Sequence, residues 1–379
     1  FTSMASTPIS VKILMLIGQL VLACIYGTLG TIMTCLLFLR LGPRKFFRRV
    51  ERPTPPAQAI DPVYGEHAII KLKSSNIALH YVSKGSSDQP LMLFVHGFPE
   101  CWYAWRYQMK YFSKKYRVVA IDQRGYGLSS KPSNVGDYKV EILVRDIVDI
   151  IEQLSEIDKF SILDIGLFFF WLIFLDYKSC VLVGHDWGAV VSWACAMLYP
   201  NLIDKLIIMN VPHPAAYRDN ISLKQLRRSW YMFFYQIPFI PELLFASDDF
   251  ATFKRIFYTK PMGLINKHNM TADDFEVYLY TFSQKGTPTA AINYYRALFR
   301  HQRDDLQAQI TVPVLIVWGC QDAALGEELA DASQNYCSNV QLKKIQNASH
   351  WVNQDVPDEV NQYMEAFLNE KSTMKHTTN

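Results

Sequence analysis

From residue 68 onward, short apolar runs alternate with amphipathic stretches. Apolar runs at 68–72 and 77–82, separated by a polar Ser-Ser-Asn turn, predict a β-hairpin. The other apolar runs predict buried strands at 91–95, 117–121, 181–183, 206–209, 314–317 and 340–344. Helical periodicity lies between them, at 105–112 and 140–154. This alternation predicts an α/β fold, a mostly parallel sheet with helices on both faces and its site at the carboxyl ends of the strands.

A much longer apolar stretch lies near the N-terminus. Residues 13–39 contain no charged side chain, and this length exceeds the roughly 20 residues that cross a bilayer. A cleaved signal peptide has a shorter apolar core, about 7 to 15 residues. We therefore expect a transmembrane helix. Only Lys12 precedes the stretch, whereas it is followed by Arg40, Arg44, Lys45, Arg48, Arg49 and Arg52, so the positive-inside rule predicts that the rest of the chain is cytoplasmic.

Hydropathy, proline content and charge divide the chain into six predicted parts. These are an N-terminal segment with the anchor (1–40), a basic and proline-rich linker (41–66), a first core part (67–212), a helical and aromatic lid (213–310), a second core part (311–370) and a polar tail (371–379). The net charge of +3 is near balance, which argues against nucleic acid as a partner. The 7 cysteines are scattered without a Cys-x-x-Cys pair, which favours free thiols over disulfides or a zinc site.

Residues 159–176 interrupt this organisation. A connection between a helix and the next strand is usually short, yet here an uncharged, very apolar run occupies 165–175. This run is too short for a second membrane span. It would pack as an added surface helix, enter the membrane interface or expose an aggregation-prone patch. An alternative-transcript or gene-model insertion is our favoured explanation, and an insertion that displaced the next strand would leave the site unassembled.

The stretch that follows carries the main chemical signal. A strand-like run, 181–183, meets Gly184-His185-Asp186-Trp187-Gly188 and then changes to helical character. This is the pattern of a nucleophile elbow, in which two glycines allow a sharp strand-to-helix turn. By itself the motif is equally compatible with a plain turn and helix N-cap. With Asp186 at the tip, a carboxylate nucleophile would suit displacement at saturated carbon, because the product is an ester and not a reactive anhydride.

Other strand ends supply possible partners for this aspartate. The strand at 91–95 ends in His96-Gly97-Phe98-Pro99-Glu100, a turn that can point backbone N–H groups at a ligand and whose Phe98–Pro99 peptide bond can be cis. The later strands are followed by Asp322 and His350. The order Asp186, Asp322, His350 matches nucleophile, acid and histidine in triads built on this kind of sheet. These positions therefore predict a catalytic triad.

Together with Asp122-Gln123-Arg124-Gly125-Tyr126-Gly127, which we expect to be a structural turn, these motifs resemble those of the α/β-hydrolase-fold epoxide hydrolases. The similarity covers about 65–370, and the apolar N-terminal segment makes the chain most like the membrane-anchored animal members. The resemblance implies that Asp186 is the nucleophile, His350 the water-activating base and Asp322 the acid that orients it. It also implies an oxyanion hole formed by the backbone N–H groups of Phe98 and Trp187, and neither a metal nor an organic cofactor.

The resemblance further implies that two lid tyrosines donate hydrogen bonds to the epoxide oxygen. Motif alignment selects Tyr231 and Tyr295, with Tyr235 and Tyr294 as alternatives. The expected reaction is hydrolysis of a lipophilic epoxide to a vicinal diol, catalysed by a single-pass protein of the endoplasmic reticulum membrane. Two other functions stay open. A haloalkane or haloacid dehalogenase would share the triad but lack the tyrosine pair, and a catalytically impaired membrane-anchored relative would bind lipids without reacting.

Overall fold

The computed structural model describes residues 9–163, 179–301 and 308–370. In this part of the chain, eight strands form one sheet: β1 Glu66–Lys71, β2 Ala78–Lys84, β3 Leu91–Val95, β4 Arg117–Ile121, β5 Cys180–His185, β6 Ile203–Met209, β7 Val314–Gly319 and β8 Val340–Ile345. The helices are α1 Ile9–Phe46, α2 Arg106–Phe112, α3 Val140–Leu163, α4 Trp187–Leu198, α5 Pro214–Asp219, α6 Leu223–Arg228, α7 Trp230–Phe234, α8 Ile240–Tyr258, α9 Ala272–Ser283, α10 Thr287–Arg300, α11 Glu328–Ser333, α12 Val352–Asp355 and α13 Pro357–Asn369.

The strand order is β1-β2-β4-β3-β5-β6-β7-β8. The hairpin β1–β2 is antiparallel and β2 also pairs antiparallel with β4, while the remaining strands are parallel. Every residue of β3, β4, β5 and β7 is buried. Since successive side chains of a strand point to opposite faces, the central sheet is covered on both faces. The structure thus confirms the predicted hairpin, the strand positions and the α/β-hydrolase fold.

Helix α3 is longer than the periodicity predicts. Several of its apolar residues, among them Ile147, Ile151 and Leu154, are fully buried, and the helix continues to Leu163. The backbone of 159–163, the start of the apolar insertion, is therefore part of α3, and 164–176 lie outside the described residues. The next strand, β5, pairs with β3 on one side and β6 on the other. The strand that carries the elbow is thus in its place in the sheet.

Helices α5 to α10 lie between β6 and β7 in the sequence, and we call them the lid. Aromatic side chains form much of its interior: Phe253 is fully buried and its ring centroid lies 4.9 Å from that of Phe282 and 5.6 Å from that of Phe275. Burying one such side chain contributes about 1.5–3 kcal/mol. Helix α9 begins with a capping box in which Thr271 and Asp274 satisfy each other's backbone N–H groups. The lid is therefore a packed helical layer above the strand ends.

Helix α1 spans 38 residues and is kinked at Gly42, whose φ of 72° leaves the helical region directly before Pro43. Its stretch from Leu16 to Phe46 has a mean hydropathy of 2.0 and is long enough to cross a membrane. Large apolar side chains of this helix are exposed, among them Leu20, Leu29 and Leu36. This finding agrees with the predicted transmembrane helix as far as length and composition go.

Candidate active site

Asp186 occupies the turn between β5 and α4 and has a positive φ of 49°. A non-glycine residue in this region stores about 1–3 kcal/mol of backbone strain and points its side chain out of the turn. A Cβ atom at Gly184 would lie 2.7 Å from the Ala189 Cα, and one at Gly188 would overlap the Val95 carbonyl oxygen. Both glycines are therefore required by close packing, as the elbow motif predicted.

The carboxylate of Asp186 is held from two sides. The Phe98 backbone N–H donates to Oδ1 over 2.7 Å, and His350 Nε2 lies 3.5 Å from Oδ2. Trp187, the first residue of α4, places its backbone N–H at the positive end of the helix dipole directly after Asp186. Burial raises the pKa of the Asp186 carboxyl, but His350, His185 and the Phe98 N–H outweigh it, so the pKa lies below its ordinary value. Asp186 is thus ionised at neutral pH.

His350 is oriented by Asp322. Its Nδ1 lies 2.7 Å from Asp322 Oδ2, and both residues are buried. The backbone N–H groups of Ala324 and Leu325 donate to the other oxygen of Asp322, Oδ1. Burial lowers the pKa of His350, but Asp322 and Asp186 together outweigh it and raise the pKa to about 10. The structure therefore brings Asp186, His350 and Asp322 together in the predicted order.

Asn210 supports the acid and was not identified from the sequence. It follows β6 with a φ of 50° and is fully buried. Its Nδ2 donates to Asp322 Oδ2 over 2.8 Å, and its Oδ1 accepts from the Gly319 N–H over 2.9 Å. The sequence signal for this residue was an asparagine at a strand end, because asparagine tolerates a left-handed backbone. Asn210 fixes the carboxylate that fixes His350.

Glu100 is a second buried group with no role assigned from the sequence. Its Oε2 accepts from the Gly97 N–H over 3.1 Å and lies 2.8 Å from His185 Nδ1. The other ring nitrogen of His185 lies 2.9 Å from the His350 carbonyl oxygen. Glu100 Oε1 accepts from Gln354. One carboxylate therefore ties the loop after β3, the elbow and the loop bearing His350 to each other, across more than 250 residues of sequence.

The two selected lid tyrosines face this site. The Tyr295 ring lies 5.0 Å from that of Trp187 and 5.2 Å from that of Phe98, and the Tyr231 ring lies 5.8 Å from that of Tyr295. Neither hydroxyl forms a hydrogen bond with another described residue. Burial raises the pKa of both hydroxyls, and the charge of Asp186 raises it further. Both tyrosines therefore stay protonated and can donate.

The alternatives to this pair differ from each other. The Tyr294 hydroxyl donates to the Arg124 carbonyl oxygen over 2.7 Å and is fully buried, so it serves the packing of the lid on the turn after β4. Tyr235 lies among the site tyrosines, with its ring 4.9 Å from that of Tyr295. Burial and then Asp186 raise its pKa too. Tyr235 thus remains a neighbour of the site, whereas Tyr294 is directed away.

The turn after β4 is structural, as expected. The Asp122 carboxylate accepts from the Trp102 N–H over 2.9 Å and lies 2.8 Å from His80 Nδ1.

The peptide bond between Phe98 and Pro99 is cis, as the sequence suggested. Among the described residues, no group of three or more His, Cys, Asp or Glu side chains is arranged to hold a metal ion.

Comparison with known proteins agrees with this geometry. The profile described as "Alpha/beta hydrolase family" matches residues 92–363. The human protein named epoxide hydrolase 4 is 39% identical over 343 residues, covering 88% of this chain and 87% of the relative. Epoxide hydrolase 1 of Caenorhabditis elegans is 44% identical over 303 residues, covering 79% of this chain and 69% of the relative.

A solved structure shows the same similarity. The epoxide hydrolase from Bacillus megaterium, crystallised in complex with an inhibitor, has a TM-score of 0.67 and 33% identity, covering 80% of this chain and 100% of that one. The chain therefore belongs to the α/β hydrolase family and, within it, to the epoxide hydrolases.

Proposed function

We propose that the protein adds water to lipophilic epoxides and releases vicinal diols, through an ester formed on Asp186. One observation carries this proposal: Asp186 Oδ2 lies 3.5 Å from His350 Nε2, while the ring of Tyr295 packs on those of Trp187 and Phe98 and the ring of Tyr231 packs on that of Tyr295. A carboxylate can attack the strained carbon while a tyrosine hydroxyl donates to the oxygen that leaves. The group that attacks the carbon and the groups that protonate the oxygen are thus present at one site.

In the first step, Asp186 Oδ2 attacks an epoxide carbon and the carbon–oxygen bond of the ring breaks. The oxygen takes a proton from Tyr231 or Tyr295, whose partner donates a second hydrogen bond. The other carboxyl oxygen, Oδ1, already accepts from the Phe98 N–H. It therefore becomes the carbonyl oxygen of the ester without leaving its hydrogen bond.

In the second step, His350 takes a proton from water, and the hydroxide attacks the ester carbonyl carbon of Asp186. Negative charge develops on Oδ1, where the N–H groups of Phe98 and Trp187 stabilise it. The intermediate collapses and the leaving alkoxide takes the proton from His350. The acid proton left on Asp186 returns to His350, which restores both the ionised carboxylate and the protonated imidazole. The net reaction consumes one water and one epoxide.

The charge of Asp186 controls when His350 acts as a base. While Asp186 is ionised, it contributes to raising the pKa of His350 to about 10, so the imidazole is protonated. Formation of the ester removes that charge and lowers the pKa of His350. The histidine then passes its proton to the tyrosinate formed in the first step, and the neutral imidazole accepts one from water in the second step.

Two features support a lipophilic substrate held at a membrane. Aromatic rings of the lid surround the Phe98 side chain, with Phe245 at 5.4 Å and Phe282 at 6.1 Å. The apolar α1 would anchor the chain as a single-pass protein. The basic residues after the apolar stretch favour a cytoplasmic catalytic part, and we infer the endoplasmic reticulum as its membrane.

The tyrosine pair also separates the proposal from its alternatives. Halide leaves without a proton, so a dehalogenase has no need of two donors beside the nucleophile. The assembled triad equally favours catalysis over lipid binding without reaction.

Trapping the ester tests the proposal. The His350→Gln variant is incubated with a panel of lipophilic epoxides and its intact mass is measured. Because the variant lacks the water-activating base, we expect a mass increase equal to one substrate. The Asp186→Asn variant is the matched control and should show no increase. No adduct on His350→Gln protein that circular dichroism shows to be folded would contradict the proposal, as would an adduct that persists in the control.

A further inference from the structure

The lid contains an apolar stretch at 230–245 with a single charged residue, Glu242. The charged side chain and the glutamine of this stretch are hydrogen-bonded inside the protein. The Glu242 carboxylate accepts from Arg296 over 2.7 and 3.2 Å. The Gln236 side-chain amide donates to the carbonyl oxygens of Met232 and Tyr295. This stretch therefore exposes no unpaired charged group. A surface that contacts hydrocarbon must meet this condition, because an unpaired charge in a bilayer is costly.

Three large apolar side chains of this stretch are nevertheless exposed. Trp230 is 39% exposed, Leu243 38% and Phe239 77%. Phe239 also has a positive φ of 66°, an unusual backbone for a bulky residue. A strained aromatic residue whose ring points out of the fold is a poor arrangement in water. We call Trp230, Phe239 and Leu243 the outer lid face.

Helix α1 lies directly beside this face. The Tyr26 ring stacks on that of Phe233 at 6.0 Å. A Cβ atom at Gly27 would overlap Ile237, and one at Gly30 would overlap Phe234. The small residues of α1 thus let α7 and the start of α8 approach its middle closely.

The position of this contact along α1 fixes its depth in a membrane. Gly27 precedes Arg40, the first charged residue after the apolar stretch, by 13 residues, which is about 20 Å along a helix. Only 14 uncharged residues, 13–26, separate Lys12 from Gly27, and these cover about 21 Å of a core that is about 30 Å thick. A spanning α1 therefore carries the residues that touch Phe234 and Ile237 into the bilayer.

We propose that the outer lid face lies in the bilayer beside α1, in contact with lipid acyl chains. The charges at the C-terminal end of α1 and just beyond it fit this placement. Lys45 and Arg48 are each 58% exposed at the far end of the lid contact, where they face Asp248. Cations at this level match lipid phosphates, and a tryptophan such as Trp230 suits the membrane interface. The inference rests on the membrane placement of α1 proposed above and is independent of the reaction.

Photo-crosslinking of the full-length chain in phosphatidylcholine nanodiscs tests the proposal. Phe239 is replaced by p-benzoylphenylalanine, which on irradiation reacts with nearby C–H bonds. Leu29 of α1, 57% exposed, is replaced in a second variant as a reference for lipid contact. Tyr111 of α2, 39% exposed and bonded to Glu365 of α13, is replaced in a third as a reference for water contact. Mass spectrometry of the digested protein measures lipid adducts at each position.

We expect abundant lipid adducts at positions 239 and 29 and a background level at position 111. Adducts at 29 without adducts at 239 would overturn the immersion of the lid while leaving α1 as an anchor. No adducts at either position would overturn both, and equal adducts at 111 and 239 would also contradict the proposal. Because ester trapping on Asp186 needs no membrane, failure here is distinguishable from failure of the proposed reaction.

Discussion

Tyr294 and Tyr295 are adjacent in the sequence, yet their hydroxyl groups have different surroundings. The Tyr294 hydroxyl donates to the Arg124 carbonyl oxygen, whereas the Tyr295 hydroxyl bonds to no other described residue and its ring lies 5.2 Å from that of Phe98, whose N–H donates to Asp186. The difference follows from α10, on which successive side chains point about 100° apart. This neighbouring pair therefore provides a matched comparison of the proposed catalytic tyrosine, Tyr295, with a packing tyrosine, Tyr294.

We expect Tyr295→Phe to slow formation of the Asp186 ester by about 100-fold, because it removes a proton donor to the developing alkoxide. Tyr294→Phe should leave that rate near the wild-type value and instead lower the free energy of unfolding by about 1 kcal/mol, the contribution of one hydrogen bond. Single-turnover kinetics and thermal unfolding of both variants measure the two effects. Equal rates of ester formation in both variants would remove Tyr295 from its proposed role.

The pKa of His350 provides a second prediction at this scale. Asp186 and Asp322 raise it to about 10 against the opposing effect of burial. Asp186→Asn removes one of the two negative charges, so the imidazole should lose its proton at a lower pH than in the wild type. Asp322 remains in contact with Nδ1 and keeps part of the shift.

Imidazole NMR titration measures this change. Burial lowers the pKa of His213 to about 4, and Asp186 does not contribute to that shift. His213 therefore serves as an internal reference. An unchanged His350 pKa in Asp186→Asn would show that the nucleophile does not control the base.

Among the elements, the connection from α1 to the lid is held by ion pairs. Helix α8 is interrupted at Asp248, Asp249 and Phe250, which all have positive φ. Arg52 donates to both oxygens of Asp249 over 2.9 and 2.8 Å and also contacts Glu276 of α9. The Arg48 carbonyl oxygen accepts from the Asp249 N–H. The linker therefore fastens the irregular part of the lid.

Arg52→Gln should lower the free energy of unfolding by about 1.5–3 kcal/mol, because it removes charge-assisted hydrogen bonds to the Asp249 carboxylate, which retains the bond from the Val50 N–H. The side chains of Arg52 and Asp249 are only 7% and 11% exposed. Arg48→Gln is the matched control, since Arg48 is 58% exposed and an exposed ion pair contributes about 0–1 kcal/mol. Thermal unfolding of both full-length variants in detergent measures the difference. Similar unfolding temperatures for the two variants would refute this role of Arg52.

For the whole molecule, the parallel sheet collects the site from distant parts of the chain. Phe98 follows β3, Asp186 follows β5, Asp322 follows β7 and His350 follows β8. Because parallel strands end at one edge, four separate loops converge there. The lid covers this edge and carries Tyr231 on α7, the helix that packs beside α1. The proposed reaction site and the proposed membrane contact are thus neighbouring parts of one structure.

Much of this could be predicted from the sequence, because it depends on short stretches of chain. The period of apolar residues determined the strands, the hairpin and the long apolar helix. The glycines around Asp186 indicated the elbow, since a tight turn excludes side chains at 184 and 188. The order of Asp186, Asp322 and His350 followed from residues at strand ends, whose convergence the fold class alone ensures.

Tertiary structure alone decided which residues support that site. Glu100 reaches His185 and Gln354, and Asn210 reaches Asp322, over separations of 85 to 254 residues. No local pattern specifies such contacts, because their energy depends on side chains brought together only by folding. The same holds for the choice between Tyr294 and Tyr295, which is set by the rotation of α10. It holds as well for α1, whose composition indicated a membrane helix but not its packing against the lid.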